Sequence, residues 1–366
     1  MNVCPLVFEP ICKPKIWGGR NLERLLDKAL PPDEPIGETW ECADLEAGQS
    51  VVARGPARGR TLHELVTEWG DDLLGRAASV DGRFPLLLKF LDAAQDLSIQ
   101  VHPDPDTARR LGGSVRVKHE SWHIIDAADD AVIYRGLRPG ATVEALAAAM
   151  KRDPAAIVDF LNRIPVKPGR TYYLPSGTLH ALGAGVVVAE IQTPSDITYR
   201  LYDWGRVRPD SDAGLHIEQG LACIRTDIDP AAFEKKSHVA SVFTTVTRCV
   251  TCPSFVIEKV RFAGGMAQDI PYAEPVCWMV LAGHGEIHHA GGMEAFARGD
   301  VVVLPAALQN PRLKTLQDCV WLEVTIPVAS DLAAFPRLSR EQLNARDGTG
   351  SAPIALNIDV DRAPPS

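Results

Sequence analysis

Gly169-Arg-Thr-Tyr-Tyr-Leu-Pro175-Ser-Gly177-Thr-Leu-His180 recurs in outline 130 residues later as Gly299-Asp-Val-Val-Val-Leu-Pro305-Ala-Ala307-Leu-Gln-Asn310. In both stretches a Gly opens a strand, four residues run in β conformation, and a Pro ends it at a turn that swings the next residues back over the sheet. The first copy ends in His180. The second has Asn310 there and Ala307 in place of the turn glycine, so it keeps the frame without the potential metal ligand.

Outward from these two stretches, most of the chain consists of short apolar or alternating runs cut by Gly and Pro, as at 83–103, 115–126, 164–193, 255–290 and 299–327. With 29 Gly and 28 Pro as punctuation, the expected class is mainly β, of the sandwich or small-barrel kind, with helical insertions. Helical periodicity is confined to a few places. Thr61 with Glu64 three residues on reads as a capping box before an apolar face ending at Trp69. Thr142 to Lys151 and Pro154 to Asn162 form a second helical stretch broken at Asp153-Pro154, and Leu215 to Ile224 a shorter third.

The chain has 366 residues, and 38 Lys+Arg against 47 Asp+Glu give a formal charge of −9. That balance argues against a nucleic-acid binder or a protein adsorbed on an anionic membrane, since both need surplus positive surface. The N-terminus has no basic region before its apolar residues, which Glu9 and Pro10 interrupt, so it does not read as a signal peptide. Eight cysteines, mostly isolated inside apolar segments, read as buried thiols of a reducing compartment, and a cytoplasmic protein is expected. Cys249-Val-Thr-Cys252 lies among β-branched residues and lacks a second pair, so it reads as packed strand rather than a zinc ribbon.

Potential ligands gather elsewhere. In Leu97-Ser-Ile-Gln-Val-His102, alternation puts Ser98, Gln100 and His102 on one face of a strand. The same rule puts Lys118, Glu120 and Trp122 together, and His180 follows the Pro-Ser-Gly turn. Two imidazoles, a carboxylate and an amide oxygen suit Zn²⁺, and Mn²⁺, Fe²⁺ or Co²⁺ would also fit. Further on, Glu190 with Gln192, and Thr198 with Arg200 and Tyr202, share faces of successive strands, so Glu190 and Arg200 can both look into a barrel.

The spacing Gly-x5-Pro-x-Gly-x2-His resembles the second motif of the cupin superfamily, whose fold is a jelly-roll barrel with a metal at its mouth. The resemblance implies two barrels: a metal-bearing one over 1–240 with inserted helices, and a degenerate one over 241–328, followed by a tail over 329–366.

More specifically, Lys15-Ile-Trp-Gly-Gly19, Gly37-Glu-Thr-Trp-Glu41, Phe84-Pro-Leu-Leu-Leu-Lys89, Leu97 to Pro103, the Lys-x-Glu of 118–120, and Glu190 through Ser195-Asp-Ile-Thr-Tyr-Arg200-Leu-Tyr-Asp-Trp-Gly205 resemble the type I phosphomannose isomerases. The short spacing between Gln100 and Glu120 is similar to that of the short bacterial branch. Members of this family interconvert mannose 6-phosphate and fructose 6-phosphate with bound zinc. The resemblance implies one Zn²⁺ on Gln100, His102, Glu120 and His180, an active-site arginine at Arg200, and a substrate phosphate at Ser98 and Lys89. Lys118 and Glu190 are both candidates for the proton transfer that an enediol(ate) route requires. Arg206 and Arg208 offer further positive charge nearby. Two other functions compete. An iron or manganese cupin oxygenase or decarboxylase is disfavoured because Gln100 stands where such proteins carry the first His of a His-x-His pair. A non-catalytic sugar-phosphate-binding cupin predicts loss of Lys118 or Arg200, and both are present.

Overall fold

A computed structural model describes residues 3–112, 115–206, 214–270 and 272–328. Arg208 and the tail at 329–366 lie outside the described residues. Strands dominate, as the Gly and Pro punctuation predicts, and they form two compact β units. One holds Ile11–Trp40 and Leu86–Ala232; the other holds Met1–Pro10, Glu41–Pro85 and the chain from Phe233.

This division differs from the contiguous one drawn at residue 240. The strand Leu6–Val7 pairs with Val301–Leu304 through Leu6↔Val303 and Val7↔Val302, so the chain begins in the C-terminal unit before it builds the other. Long-range pairing of so short a strand has no local sequence signal.

In the unit containing Leu86–Ala232, a six-stranded sheet runs in the order Thr171–Leu174, Glu120–Ala127, Val186–Gln192, Leu87–Ala93, Ile11–Gly19 and Ile36–Cys42. A five-stranded sheet runs Leu161–Pro165, Val132–Leu137, His180–Leu182, Ile99–Val101 and Tyr199–Tyr202. Their inner faces share a core of Leu91, Trp122, Ile124, Ile133, Leu182 and Val188. The outer face of the five-stranded sheet is covered by Val143–Met150, the 3-10 turn Pro154–Phe160 and Ile217–Cys223, whose Leu146, Ile157 and Cys223 pack on Ile99, Val101 and Leu201. Thr142 caps the first of these helices by accepting from Ala145 N, as an N-cap threonine does.

The C-terminal unit repeats the same order. Its seven-stranded sheet contains, side by side, Val301–Leu304, Val276–Ala282, Cys319–Thr325, Val256–Phe262 and Thr244–Thr251. The repeat read from residues 169 and 299 therefore marks matching strands of two like folds: Thr171–Leu174 and Val301–Leu304 hold equivalent places, each after a Gly at positive φ. The turns that follow differ. Gly177 has φ +85°, and a Cβ there would lie 2.5 Å from Arg225 Cγ, whereas in the second copy the left-handed residue is Asn310 at φ +51°. The helix Leu62–Trp69 belongs to this unit and carries the capping box expected at Thr61 and Glu64.

All eight cysteines are free, and Cys249 and Cys252 are buried with their thiols against the carbonyl oxygens of Thr247 and Phe255. No helix among the described residues is long and apolar enough to cross a membrane.

The core of the C-terminal unit includes Trp278, Trp321, Phe262 and Phe296, and into it points Glu323. Its Oε2 accepts from Tyr272 Oη at 2.7 Å, Trp278 Nε1 at 3.1 Å and Trp321 Nε1 at 3.3 Å, while Oε1 is buried without a partner. Burial and the neighbouring Glu258 push this carboxyl up to about 7, against the three donors. The folded protein thus keeps a proton that the unfolded chain releases near the ordinary carboxylate range, so stability falls as pH rises from about 4.5 to about 7. Thermal unfolding of the full chain across that window should show Glu323→Gln gaining on the wild type as pH rises, by on the order of 2 kcal/mol at pH 8. A difference independent of pH would show that the carboxyl is ionised throughout.

Candidate metal centre and active site

Strand register gathers the site. In the five-stranded sheet Arg135 pairs with His180, His180 with Gln100, and Gln100 with Arg200. Cross-strand partners point to the same face, so these four side chains form one row on the inner face. In the facing sheet Tyr172 pairs with Trp122, Trp122 with Glu190, and Glu190 with Lys89, forming a second row. The rows meet: Trp122 packs its edge on the His180 ring at 5.4 Å, and the Arg135 guanidinium lies over the Tyr172 ring at 5.3 Å.

His102, Glu120 and His180 converge between these rows, with one donor atom from each within 4.8 Å of the others. Glu120 Oε1 is 3.3 Å from His102 Nε2, and Oε2 is 3.1 Å from His180 Nε2. Each imidazole uses Nδ1 to donate to a backbone carbonyl, His102 to Ile197 O and His180 to Thr178 O, both at 2.8 Å. That fixes the tautomer whose Nε2 lone pair faces the centre, as second-shell bonds to metal-binding histidines do. Burial pushes His102 down to about 4 against the pull of Glu120, so the ring is neutral and able to ligate at pH 7. Glu120 is also buried, yet the Lys118 ammonium beside it outweighs that cost and holds its carboxyl well below the usual range. His102 Nε2 and both Glu120 oxygens lack hydrogen-bond partners, although Lys118 Nζ stands 2.5 Å from Oε1 as an ion pair. Three buried, converging, unsatisfied donors fit a divalent cation.

Gln100 completes the cluster. Its Nε2 is 3.4 Å from His180 Nε2, and Ser98 Oγ donates to its Oε1 at 3.2 Å. Exchanging the amide's O and N, a choice set by the hydrogen-bond network alone, turns an oxygen toward the centre.

The other expected residues fall in two places. Glu190 is buried in the facing row, where Oε1 accepts from Trp122 Nε1 at 2.9 Å and Oε2 is 3.1 Å from Lys89 Nζ. Burial raises its pKa, helped by Glu120, and Lys89 offsets that only in part because it is shared with Glu38 at 3.5 Å. Those two carboxylates more than offset the burial of Lys89 and raise its pKa. Glu38 in turn, although buried, is held down at about 2 by Lys89 and Lys15. Arg200, in the inner row, also borders a pocket of about 350 Å³ with Asp153, Tyr202, Asp203, Arg206 and Leu215. None of the cluster residues lines that pocket; Arg200, the cross-strand partner of Gln100, does. Arg206 donates from Nη2 to Asp203 Oδ1 at 2.6 Å and keeps a buried Nε with no partner.

Three neighbours were missed in the sequence. Glu38 and Trp40, within the quoted Gly37 to Glu41 block, were not assigned roles, yet Trp40 Nε1 donates to Glu38 Oε2 at 2.7 Å beside Lys89. Alternation alone would have put Glu38 and Trp40 on one face. Arg135, the neighbour of His180, carries no motif and becomes visible only through register.

A family model described as "Phosphomannose isomerase type I, catalytic domain" matches residues 6–121. The chain is 34% identical over 323 residues to the mannose-6-phosphate isomerase ManA of Bacillus subtilis, an alignment covering 87% of this chain and 99% of that protein. It is 36% identical over 317 residues to a mannose-6-phosphate isomerase of Streptococcus mutans, covering 84% and 94%. Among solved structures, the B. subtilis mannose 6-phosphate isomerase superposes with a TM-score of 0.77 at 32% identity, covering 88% of this chain and 99% of that one. A putative mannosephosphate isomerase from Archaeoglobus fulgidus shares the fold at 21% identity, with a TM-score of 0.70 over 90% and 100%.

His102→Ala should abolish stoichiometric metal in purified protein, measured by elemental analysis, while far-UV circular dichroism stays that of the wild type. Metal content equal to wild type would place the ion elsewhere.

Proposed function

The chain belongs to the type I phosphomannose isomerases, and from the geometry of its site we propose that it interconverts mannose 6-phosphate and fructose 6-phosphate with a zinc ion held by Gln100, His102, Glu120 and His180. The observation that carries this reading is the buried His102–Glu120–His180 cluster, its free donors converging beside Arg200 and Glu190 in a chain that spans 99% of a named isomerase. Two imidazoles, a carboxylate and an amide oxygen are the donor set of a borderline cation, which favours Zn²⁺. When bound, the ion supplies a Lewis acid that polarises a sugar oxygen.

The protein's own groups divide the remaining work. Isomerisation moves a proton between C2 and C1 of the sugar through an enediol. We assign that proton to Glu190, a buried carboxylate whose pKa is raised toward the working range and whose two oxygens are aimed by Trp122 and Lys89. Lys118 is tied to the ligand Glu120, so its ammonium holds that carboxylate in place. Arg200 is a permanent cation in the row of the metal ligands, suited to the charge that develops on the sugar oxygen.

For the phosphate, Lys89 already faces two carboxylates that would repel a dianion. Arg206 lines the pocket beside Arg200, which has room for a phosphoryl group that its guanidinium could pair with. We therefore assign the phosphate to Arg206, with Ser98 orienting Gln100 rather than gripping the phosphate itself.

Two measurements test this. Protein stripped with a chelator and reloaded with Zn²⁺ should convert mannose 6-phosphate to fructose 6-phosphate in deuterated water, with deuterium appearing at carbon by NMR; no metal-dependent product would sink the isomerase reading. Arg206→Ala should raise KM for mannose 6-phosphate at least tenfold while kcat changes less than threefold. A kcat loss at constant KM would move the phosphate elsewhere.

A further inference from the structure

The two units carry the same cross-strand pair at the same place. Tyr172 and Val302, 130 residues apart, are repeat equivalents, and they pair with Trp122 and Trp278. Those tryptophans pair with Glu190 and Glu323, and in both units the indole N–H donates to the carboxylate, at 2.9 Å from Trp122 and 3.1 Å from Trp278. What surrounds the pair differs. Glu258 stands where the first unit has Lys89, Val276 where it has Glu120, and Asn310 where it has His180.

The second unit is therefore an internal control. It has lost the ligands and the lysine, and it retains the indole and the carboxylate in the same relation. The hydrogen bond needs neither metal nor counter-ion to form, so it orients the carboxylate independently of what charges it. In the first unit Trp122 is 1% exposed and wedged by its edge against His180, which leaves its N–H one direction and Glu190 Oε1 one partner.

We propose that Trp122 is a positioning residue of the isomerase site, acting by holding Oε1 of Glu190 and so fixing the plane in which Oε2, beside Lys89, meets the substrate. This rests on Glu190 being the proton-transfer group. Fixing a reacting carboxylate matters because proton transfer falls off steeply once donor and acceptor lose a hydrogen-bonding distance and angle. Lys89 compensates the charge of the same carboxylate, and the indole restricts its rotation.

Trp122→Phe keeps an aromatic edge toward His180 and removes the N–H. In the zinc-loaded full chain it should lower kcat about tenfold, with KM within twofold and metal content unchanged. Combined with Glu190→Gln it should add less than twofold to the loss from Glu190→Gln alone, because the indole acts through that carboxylate. Trp278→Phe, the equivalent change in the other unit, should leave kcat and KM as in the wild type. A wild-type kcat in Trp122→Phe, the same tenfold loss in both Glu190 backgrounds, or a rate loss that tracks lost metal would each overturn the proposal. If Trp122→Phe does not fold, a sulfur-for-nitrogen isostere of the indole at Trp122, which preserves ring shape, takes its place with the same expectations. One readout is independent of activity: in protein labelled with ¹⁵N-tryptophan, the Trp122 indole proton should shift upfield on Glu190→Gln while that of Trp278 does not. If the wild type turns over no mannose 6-phosphate, the isomerase reading falls by itself, and an unmoved Trp122 signal then overturns the orientation of Glu190 as well.

Discussion

Carboxylates buried inside a β-barrel are tolerable only where a cation faces each one, and this constraint organises the unit that holds the His102–Glu120–His180 cluster. Glu38, Glu120 and Glu190 are all held in its interior, and Lys15, Lys89 and Lys118 stand against them at 2.5 to 3.5 Å. The idealised cost of burying a carboxylate is far above the few kcal/mol by which a fold is stable, so each ion pair is a condition for the sheet that carries it. Glu120 is the one whose hydrogen bonding is incomplete. A lysine lies beside Oε1, yet neither oxygen has a hydrogen-bond partner, and two imidazoles turn Nε2 to the same space. Lone pairs facing a carboxylate repel it unless a cation sits among them.

The same local arithmetic reconciles an acidic protein with an anionic substrate. A net charge of −9 is spread over the surface and screened within about 10 Å at ordinary salt. A site holding Arg135, Arg200 and three lysines is close-range, low-dielectric and positive wherever its carboxylates are already paired. Arg200 sits where that field is needed, in the row of the ligands and at the edge of the pocket that holds Arg206.

Much of this was legible in the sequence because β geometry is periodic. Alternation placed Ser98, Gln100 and His102 on one face and Lys118, Glu120 and Trp122 on another, and the structure brings both sets to the same interior. The Pro-Ser-Gly turn located His180, since a left-handed glycine packed under Arg225 is a local requirement with a local signature. Pairing between distant segments left no such trace. Arg135 became a neighbour of His180, Glu38 a partner of Lys89, and Leu6 a partner of Val303 through register alone. The expected boundary at 240 is contiguous for that reason: a two-residue strand near the N-terminus cannot announce which sheet it will close.

Comparison of the two units separates what the fold needs from what the chemistry needs. The glycine-initiated strand, the strand order and the Trp–Glu pair occur in both, so they belong to the architecture. The cluster residues Glu120 and His180 and the cation Lys89 occur in one, and where Val276, Asn310 and Glu258 stand instead the interior closes around Trp278, Trp321 and Phe296. Glu323 remains there as a carboxyl with three donors on one oxygen and none on the other, and without a lysine it is driven toward neutrality. A hydrogen-bonded, oriented carboxyl is thus something this barrel supplies by default. In the other unit the equivalent carboxylate, Glu190, has Lys89 as its cross-strand partner at 3.1 Å.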